Sequence, residues 1–192
     1  PDRFDEAKLR RLKSAFQKEG TVTAGNASSI NDGAAGVVVL SARQAEKLNV
    51  KPQARILGHA SASIEPEWFT LAPINAIRRL LDRISMKASD IDLWEINEAF
   101  ATVPMAAMKE LDLSHDRLNV HGGAVALGHP IGASGARVLV TLIHAMEAQQ
   151  VYSSFDKEMW NQMNRDLNGV AVRGIVQDER PFKEVYEPGH PD

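Results

Sequence analysis

Between Asn119 and Arg137 the chain reads Asn-Val-His-Gly-Gly-Ala-Val-Ala-Leu-Gly-His-Pro-Ile-Gly-Ala-Ser-Gly-Ala-Arg, with glycines at 122, 123, 128, 132 and 135. Glycine density of this kind serves turns at positive φ and close approach of backbone to a ligand. The glycines fit neither the phosphate-cradling Gly-x4-Gly-Lys-Ser/Thr loop nor the dinucleotide-binding Gly-x-Gly-x-x-Gly turn. The residue that could do chemistry is His129. It precedes Pro130, which biases its backbone to extended conformations and restricts the direction of its ring. An imidazole held in this way is suited to proton transfer near neutral pH. A histidine in a glycine-rich loop can equally do no more than satisfy neighbouring backbone groups, and taken alone the segment favours that plainer role.

Other constellations fail. His59, His115, His121, His144 and His190 show no His-x3-His, and no Glu stands at metalloprotease spacing, so no metal site is expected. Asp90, Asp92 and Glu95 read as solvated flanks of a strand, and Gly132-Ala-Ser-Gly135 lacks the spacing of a nucleophile elbow. Cysteine is absent, which removes disulfides, iron–sulfur clusters and thiol nucleophiles together. With 192 residues, 44% hydrophobic and 24% charged, the chain has globular composition and room for a sizeable core. A net charge of −3 without a basic stripe argues against nucleic acid, and no apolar run reaches the ~20 residues that cross a bilayer. The chain starts at Pro1 without a leader-like stretch, so a processed chain or a fragment, soluble and cytoplasmic, is expected.

The elements that must position His129 read as strands alternating with helices. Residues 3–19 predict a short surface helix, and Asn26 to Ala35 the small-residue start of a packed helix. The β-branched run Val37–Leu40 predicts a strand buried on both faces, followed by a helix over 41–48. Ala54–Ala60 is strand-like. Thr70 is placed to cap a helix with Pro73 in its first turn and Ile74, Ile77, Leu80, Leu81 and Ile84 on one face. Strands at 89–96 and 118–121 and helices at 101–111 and 135–148 complete an α/β pattern with a mainly parallel or mixed sheet. The last helix has so little polar surface that burial between two layers is expected. Beyond Gln150 a further helix, a strand over 170–176 and a loosely ordered end from Glu179 are predicted.

Two more segments change the reading of His129. Trp94-Glu-Ile-Asn-Glu-Ala-Phe100 ends one predicted strand, and Thr21-Val-Thr-Ala-Gly-Asn-Ala-Ser-Ser-Ile-Asn-Asp-Gly-Ala34 lies earlier. In this order and at these separations the three segments resemble the thiolases, which form or cleave 3-oxoacyl-CoA, and the resemblance runs from about residue 3 to residue 148. It implies that His129 matches the histidine that deprotonates a nucleophilic cysteine and then helps to bind the thioester oxygen of acetyl-CoA. Asn97 matches the asparagine that holds the water completing that oxyanion hole. Ser28, Phe16, Ala99 and Phe100 match residues near the pantetheine arm of coenzyme A. Core packing is the plainer role for Phe16 and Phe100, and a helix cap for Ser28. Asn31 and Asp32 are expected to secure the turn into their helix.

The fold that the resemblance implies is α/β: a thiolase-like mixed sheet with helices on both faces, half of an αβαβα sandwich, followed by a non-matching tail. Residues 1–41 would close the loop region and the first half-domain, 52–148 would form the second, and 151–192 would be the divergent tail. The match is incomplete. Thiolases use a nucleophilic cysteine in their first half and another in a Cys-x-Gly-Gly-Gly segment after the last helix, and this chain has Val151-Tyr-Ser-Ser-Phe-Asp-Lys-Glu-Met-Trp160 in that place. Acyl transfer is therefore expected from a fragment or partial subunit inactive by itself, with CoA or acetyl-CoA as substrate and no covalently bound cofactor. It would pair with a missing amino-terminal half or self-associate. A non-catalytic CoA-binding or oligomerisation protein is the alternative.

Overall fold

The computed structural model describes residues 4–149 and, as backbone, the strand Val170–Arg173. Helix α1 (Glu6–Arg10) opens under Asp5, whose carboxylate accepts the Lys8 amide at 2.8 Å, and buries none of its residues. It is shorter than the charge pattern suggests, because the chain then folds back through the Ser14–Thr23 bridge. Strand β1 (Val38–Ser41) runs straight into α2 (Ala42–Lys47), with the Ser41 hydroxyl accepting the Gln44 amide at 3.2 Å as the cap.

Strands β2 (Ala54–Ile56) and β3 (Val170–Arg173) complete one described sheet of order β1-β3-β2, with Val39 opposite Val172 and Arg55 opposite Ala171. Both ladders are antiparallel, where the strand–helix pattern predicts parallel or mixed pairing. A strand from beyond position 150 lies antiparallel between β1 and β2, while β1 and β2 themselves, joined through α2, run in the same direction, as a strand–helix–strand unit requires. As an edge strand, β1 also escapes the expected burial on both faces: Val38 and Val39 are about half exposed.

The core lies between α3 (Ala72–Ile84) and α4 (Thr102–Leu111). Ile74 and Leu81 of α3 meet Val103 and Ala107 of α4, with Trp94, Ile96, Leu113 and Leu118 closing the cluster. Pro73 lies in the first turn of α3 as expected, but Thr70 makes no cap bond. It sits within the 3-10 turn Pro66–Leu71, which runs directly into the helix, and the preceding turn does the work of a side-chain cap. Both helices stop on a non-glycine residue in the left-handed region, Ser85 at φ 55° and Asp112 at φ 53°. Each stop folds the next residue inward: Met86 N bonds Leu81 O and Leu113 N bonds Met108 O, both at 3.0 Å, and both side chains pack on the core.

Two expectations are corrected here. Residues 26–35 form no helix, because their backbone groups pair with distant segments instead of with each other. The pieces 89–96 and 118–121 meet through a single parallel bridge, Trp94 to Leu118, and form no ladder. The ladder stops because Asn119, at φ 51°, turns the chain immediately after Leu118. The final helix α6 (Ser134–Ala148) buries Ser134, Ile143 and Ala145, and because Ile143 and Ala145 are two positions apart they lie on opposite faces, so its burial is not confined to one side. The predicted helix after Gln150, the rest of the predicted strand past Arg173 and the charged end lie outside the described residues.

Candidate active site

One strap of chain draws the site together. Ala27 bridges Phe100, the amide and hydroxyl of Ser28 both donate to Ala99 O at 3.1 and 2.9 Å, and Ala101 N donates to Asn26 O at 2.9 Å. A few residues on, Ile30 bridges His129, and His129 N donates to Ser29 O at 2.9 Å. The segment expected to begin a helix thus ties the Asn97 loop to the His129 loop. Its fit needs glycine at 128, which stands at φ 96° and where a Cβ would fall 2.4 Å from Asn31 Oδ1. Asn31 secures no helix start; its Oδ1 accepts the Ser29 hydroxyl at 2.7 Å.

His129 and Asn97, read from the sequence as partners, come together: Asn97 Nδ2 lies 3.4 Å from His129 Nε2. On the far side of the ring, Nδ1 is 2.6 Å from the hydroxyl of Ser134, which is itself buried and donates to Pro130 O at 3.0 Å. A hydroxyl spending its proton on Pro130 presents a lone pair to the ring. With the row running in that direction and Asn97 turning Nδ2–H to the ring, Nδ1 carries the ring proton and Nε2 faces Asn97 with a lone pair able to take one; the hydroxyl by itself does not fix this, since it can also turn to the ring. Behind Asn97, Arg137 Nη2 donates to Asn97 Oδ1 at 3.4 Å.

Two residues the sequence reading passed over hold the loops in register. The carboxamide of Asn119 acts as a substitute peptide group. Its Oδ1 accepts Ile96 N at 2.9 Å and its Nδ2 donates to Ile96 O at 3.0 Å, extending the broken ladder by one rung through a side chain. The same Nδ2 donates to Glu98 Oε1 at 2.9 Å, and Val125 N, in α5 (Ala124–Leu127), donates to Glu98 Oε2 at 3.1 Å. Glu98 so pins the glycine-rich segment. Glu95 beside it is different: burial raises its carboxyl from 4.5 to about 7, with Arg137 pulling the value down and Glu98 pushing it up. Among the described residues its Oε1 is buried without a hydrogen bond.

The other sequence candidates divide. Ala99 lines a cavity of about 340 Å³ together with Glu95, Ile96, Asn97, Phe69 and Ile77. Phe100 packs edge-on against Phe69, ring centres 6.3 Å apart, and leans on the core. Ser28 caps no helix, since none follows it; its hydroxyl is spent on Ala99. Phe16 is 75% exposed and enters none of the site's hydrogen bonds. A larger open depression of about 570 Å³, lined by His121, Leu127, Val140 and His144, contains neither Asn97 nor His129. Among the described residues no group of His, Asp or Glu is assembled to hold a metal ion.

The geometry has counterparts in known proteins. The chain is 52% identical over 146 residues to a rat protein named acetyl-CoA acetyltransferase, mitochondrial, the match covering 76% of this chain and 34% of the rat one. The Bacillus anthracis acetyl-CoA acetyltransferase structure superposes with a TM-score of 0.73 at 46% identity, over 75% of this chain and 36% of that one. The Acat5 thiolase of Ascaris suum in complex with coenzyme A gives 0.68 at 45% identity, over 75% and 38%. The chain spans about a third of the length of the curated relatives it matches. Residues 50–155 match the family described as thiolase, C-terminal domain, and residues 2–43 match thiolase, N-terminal domain; with more than half of its length so accounted for and the α/β fold of its structural neighbours, this chain belongs to the thiolase family.

Proposed function

We propose that the chain supplies the thioester-oxygen side of a thiolase-type acyltransferase site, acting on acetyl-CoA and 3-oxoacyl-CoA. The observation that carries this reading is the 3.4 Å approach of Asn97 Nδ2 to His129 Nε2. During Claisen condensation or thiolysis, negative charge collects on the thioester oxygen, and each preorganised donor there is worth roughly 10²–10³ in rate. The lone pair on His129 Nε2 takes the thiol proton of an attacking cysteine. The resulting Nε2–H then points at the space that Asn97 Nδ2–H also addresses, so that the base of one step becomes the donor of the next. Asn97 completes the pair through one water. Ala99 in the wall of the 340 Å³ cavity and Phe100 against Phe69 support these two as lining the pantetheine arm, with Ser28 and Phe16 assigned to the same arm on the family resemblance.

The sequence contains no cysteine, so the nucleophile comes from a second polypeptide segment. We take residues 1–41 as the end of one half-domain and 52–148 as the other, a division supported by the two family matches on either side of residues 44–49. The partner that supplies the nucleophile is a first-half chain; a second copy, equally without cysteine, would add contacts and no nucleophile. Ile30, Ile131, Met105 and Leu127, each more than half exposed, support such pairing. Similarity to a bacterial acetyltransferase supports a cytoplasmic location, and a mitochondrial one, as in the rat relative's name, is the other outcome that fractionation would distinguish. The absence of cysteine also favours a second reading, a protein that binds CoA without chemistry.

Complementation separates the two. Mixing this chain with a cysteine-bearing thiolase first half should give thiolysis of acetoacetyl-CoA that His129→Ala abolishes. Binding of CoA by calorimetry with no turnover in any mixture would leave the non-catalytic reading, and neither binding nor turnover would sink both.

A further inference from the structure

We infer that Arg137 is a positioning residue that sets the direction of the hydrogen-bond row through Asn97, His129 and Ser134, and with it the tautomer of His129. The inference deepens the reading of His129 as a base. The row runs from Arg137 Nη2 to Asn97 Oδ1 (3.4 Å), from Asn97 Nδ2 to His129 Nε2 (3.4 Å), from His129 Nδ1 to Ser134 Oγ (2.6 Å) and from Ser134 Oγ to Pro130 O (3.0 Å).

Three members of this row can reverse. A carboxamide can rotate by half a turn and exchange its oxygen for its nitrogen, a neutral imidazole can carry its proton on either nitrogen, and a hydroxyl can swing its hydrogen. The far end does not decide the matter, because Pro130 O already accepts Ser134 N at 2.8 Å and would stay satisfied if the hydroxyl turned toward the ring. A guanidinium alone has donors and no acceptor. Facing Arg137, Asn97 must present oxygen, and so presents N–H to the ring. Nε2 must then be the lone-pair nitrogen, and the proton is confined to Nδ1. Without Arg137 the row could run backwards, with Nε2–H donating to Asn97 Oδ1 and the base already carrying the proton it is meant to receive.

A second observation separates this role from simple structural support. Among the described residues, Nε and Nη1 of Arg137 are buried with no hydrogen-bond partner, and the nearby carboxylate of Glu95 likewise leaves Oε1 buried and unpaired. Burying charged groups with unmet hydrogen bonds is costly. Among the described residues, the one hydrogen bond this side chain makes goes to the candidate site's carboxamide.

The test reads the ring nitrogens of His129 by 15N NMR in the full chain. The wild type should show Nδ1–H. Arg137→Met should bring up a substantial Nε2–H population, and Arg137→Lys, again donor only, should restore the wild-type pattern. In the complementation assay the Met variant should lose about tenfold in kcat with little change in KM. A folded Met variant that keeps the wild-type tautomer overturns the inference, as does loss of folding in both variants, which would make Arg137 a structural residue. The NMR pattern is independent of turnover, so a wild-type chain that shows Nδ1–H but never supports thiolysis counts against the proposed function and not against the role of Arg137.

Discussion

The carboxylate of Glu98 fills the space that a side chain at Gly123 would need: a Cβ built there would fall 2.0 Å from Glu98 Cδ. Gly123 is extended, at φ −118° and ψ −173°, so it is glycine for room and not for backbone freedom. Only with that room can Glu98 reach both Asn119 Nδ2 and Val125 N. Gly123→Ala should therefore push the carboxylate out of its two bonds and cost about 1–3 kcal/mol, as overpacking does. Urea denaturation checks it, and an unchanged midpoint would show that the loop yields freely.

Asn119 gives a sharper test of how the two loops are joined. Removing its carboxamide strands the N–H and C=O of Ile96, a buried residue. Asn119→Ala should cost roughly 2–6 kcal/mol, since each of the two unmet buried groups costs about 1–3. Asn119→Gly removes the same bonds but suits the positive φ, so it should lie between wild type and Ala. Equal midpoints for Ala and Gly would mean that backbone strain contributes nothing.

Glu95 predicts a pH dependence. Its folded carboxyl titrates near 7 against 4.5 for the free group, chiefly because burial disfavours the charge. Between these values the folded chain holds a proton that the unfolded chain has released, so stability from this group is full below about 4.5 and declines as pH rises through 7. Glu95→Gln should flatten that part of the curve. The difference between wild type and variant, measured by thermal melts from pH 4 to pH 8, isolates the effect, and parallel curves would contradict it.

Ser134 holds the ring of His129 from behind. Ser134→Ala should leave the fold in place while lowering thiolysis in the complemented enzyme by about tenfold, the usual scale for loss of a group that orients an active side chain. Steady-state kinetics would decide it, and unimpaired kcat would show that the loop alone fixes the ring.

The legible parts of this molecule are those governed by local pattern. Ile74 and Leu81 announce α3 by their spacing, Pro73 marks its first turn, and α4 and α6 follow within a residue of their expected bounds. That Asn97 and His129 lie side by side is legible because their neighbours form distinctive runs. Glu98, Asn119, Ser134 and Arg137 were not, because each works through a contact fixed by folding, as between Asn97 and Arg137 forty positions apart. Residues 26–35 misled because small residues suit a packed helix and a pairing strap equally well, and only the partners at Ala99, Phe100 and His129 choose between them. The antiparallel pairing with β3 is not legible for the same reason, since β3 arrives from far along the chain, whereas the shared direction of β1 and β2 follows from the strand–helix–strand pattern.

The most direct trial is a crystal structure of this chain, with its complementing half, bound to a non-hydrolysable acetyl-CoA analogue. The carbonyl oxygen should sit about 2.7–3.1 Å from His129 Nε2, with one water linking it to Asn97 Nδ2. An analogue whose carbonyl lies beyond reach of both side chains, in a complex that is otherwise fully formed, would contradict the account.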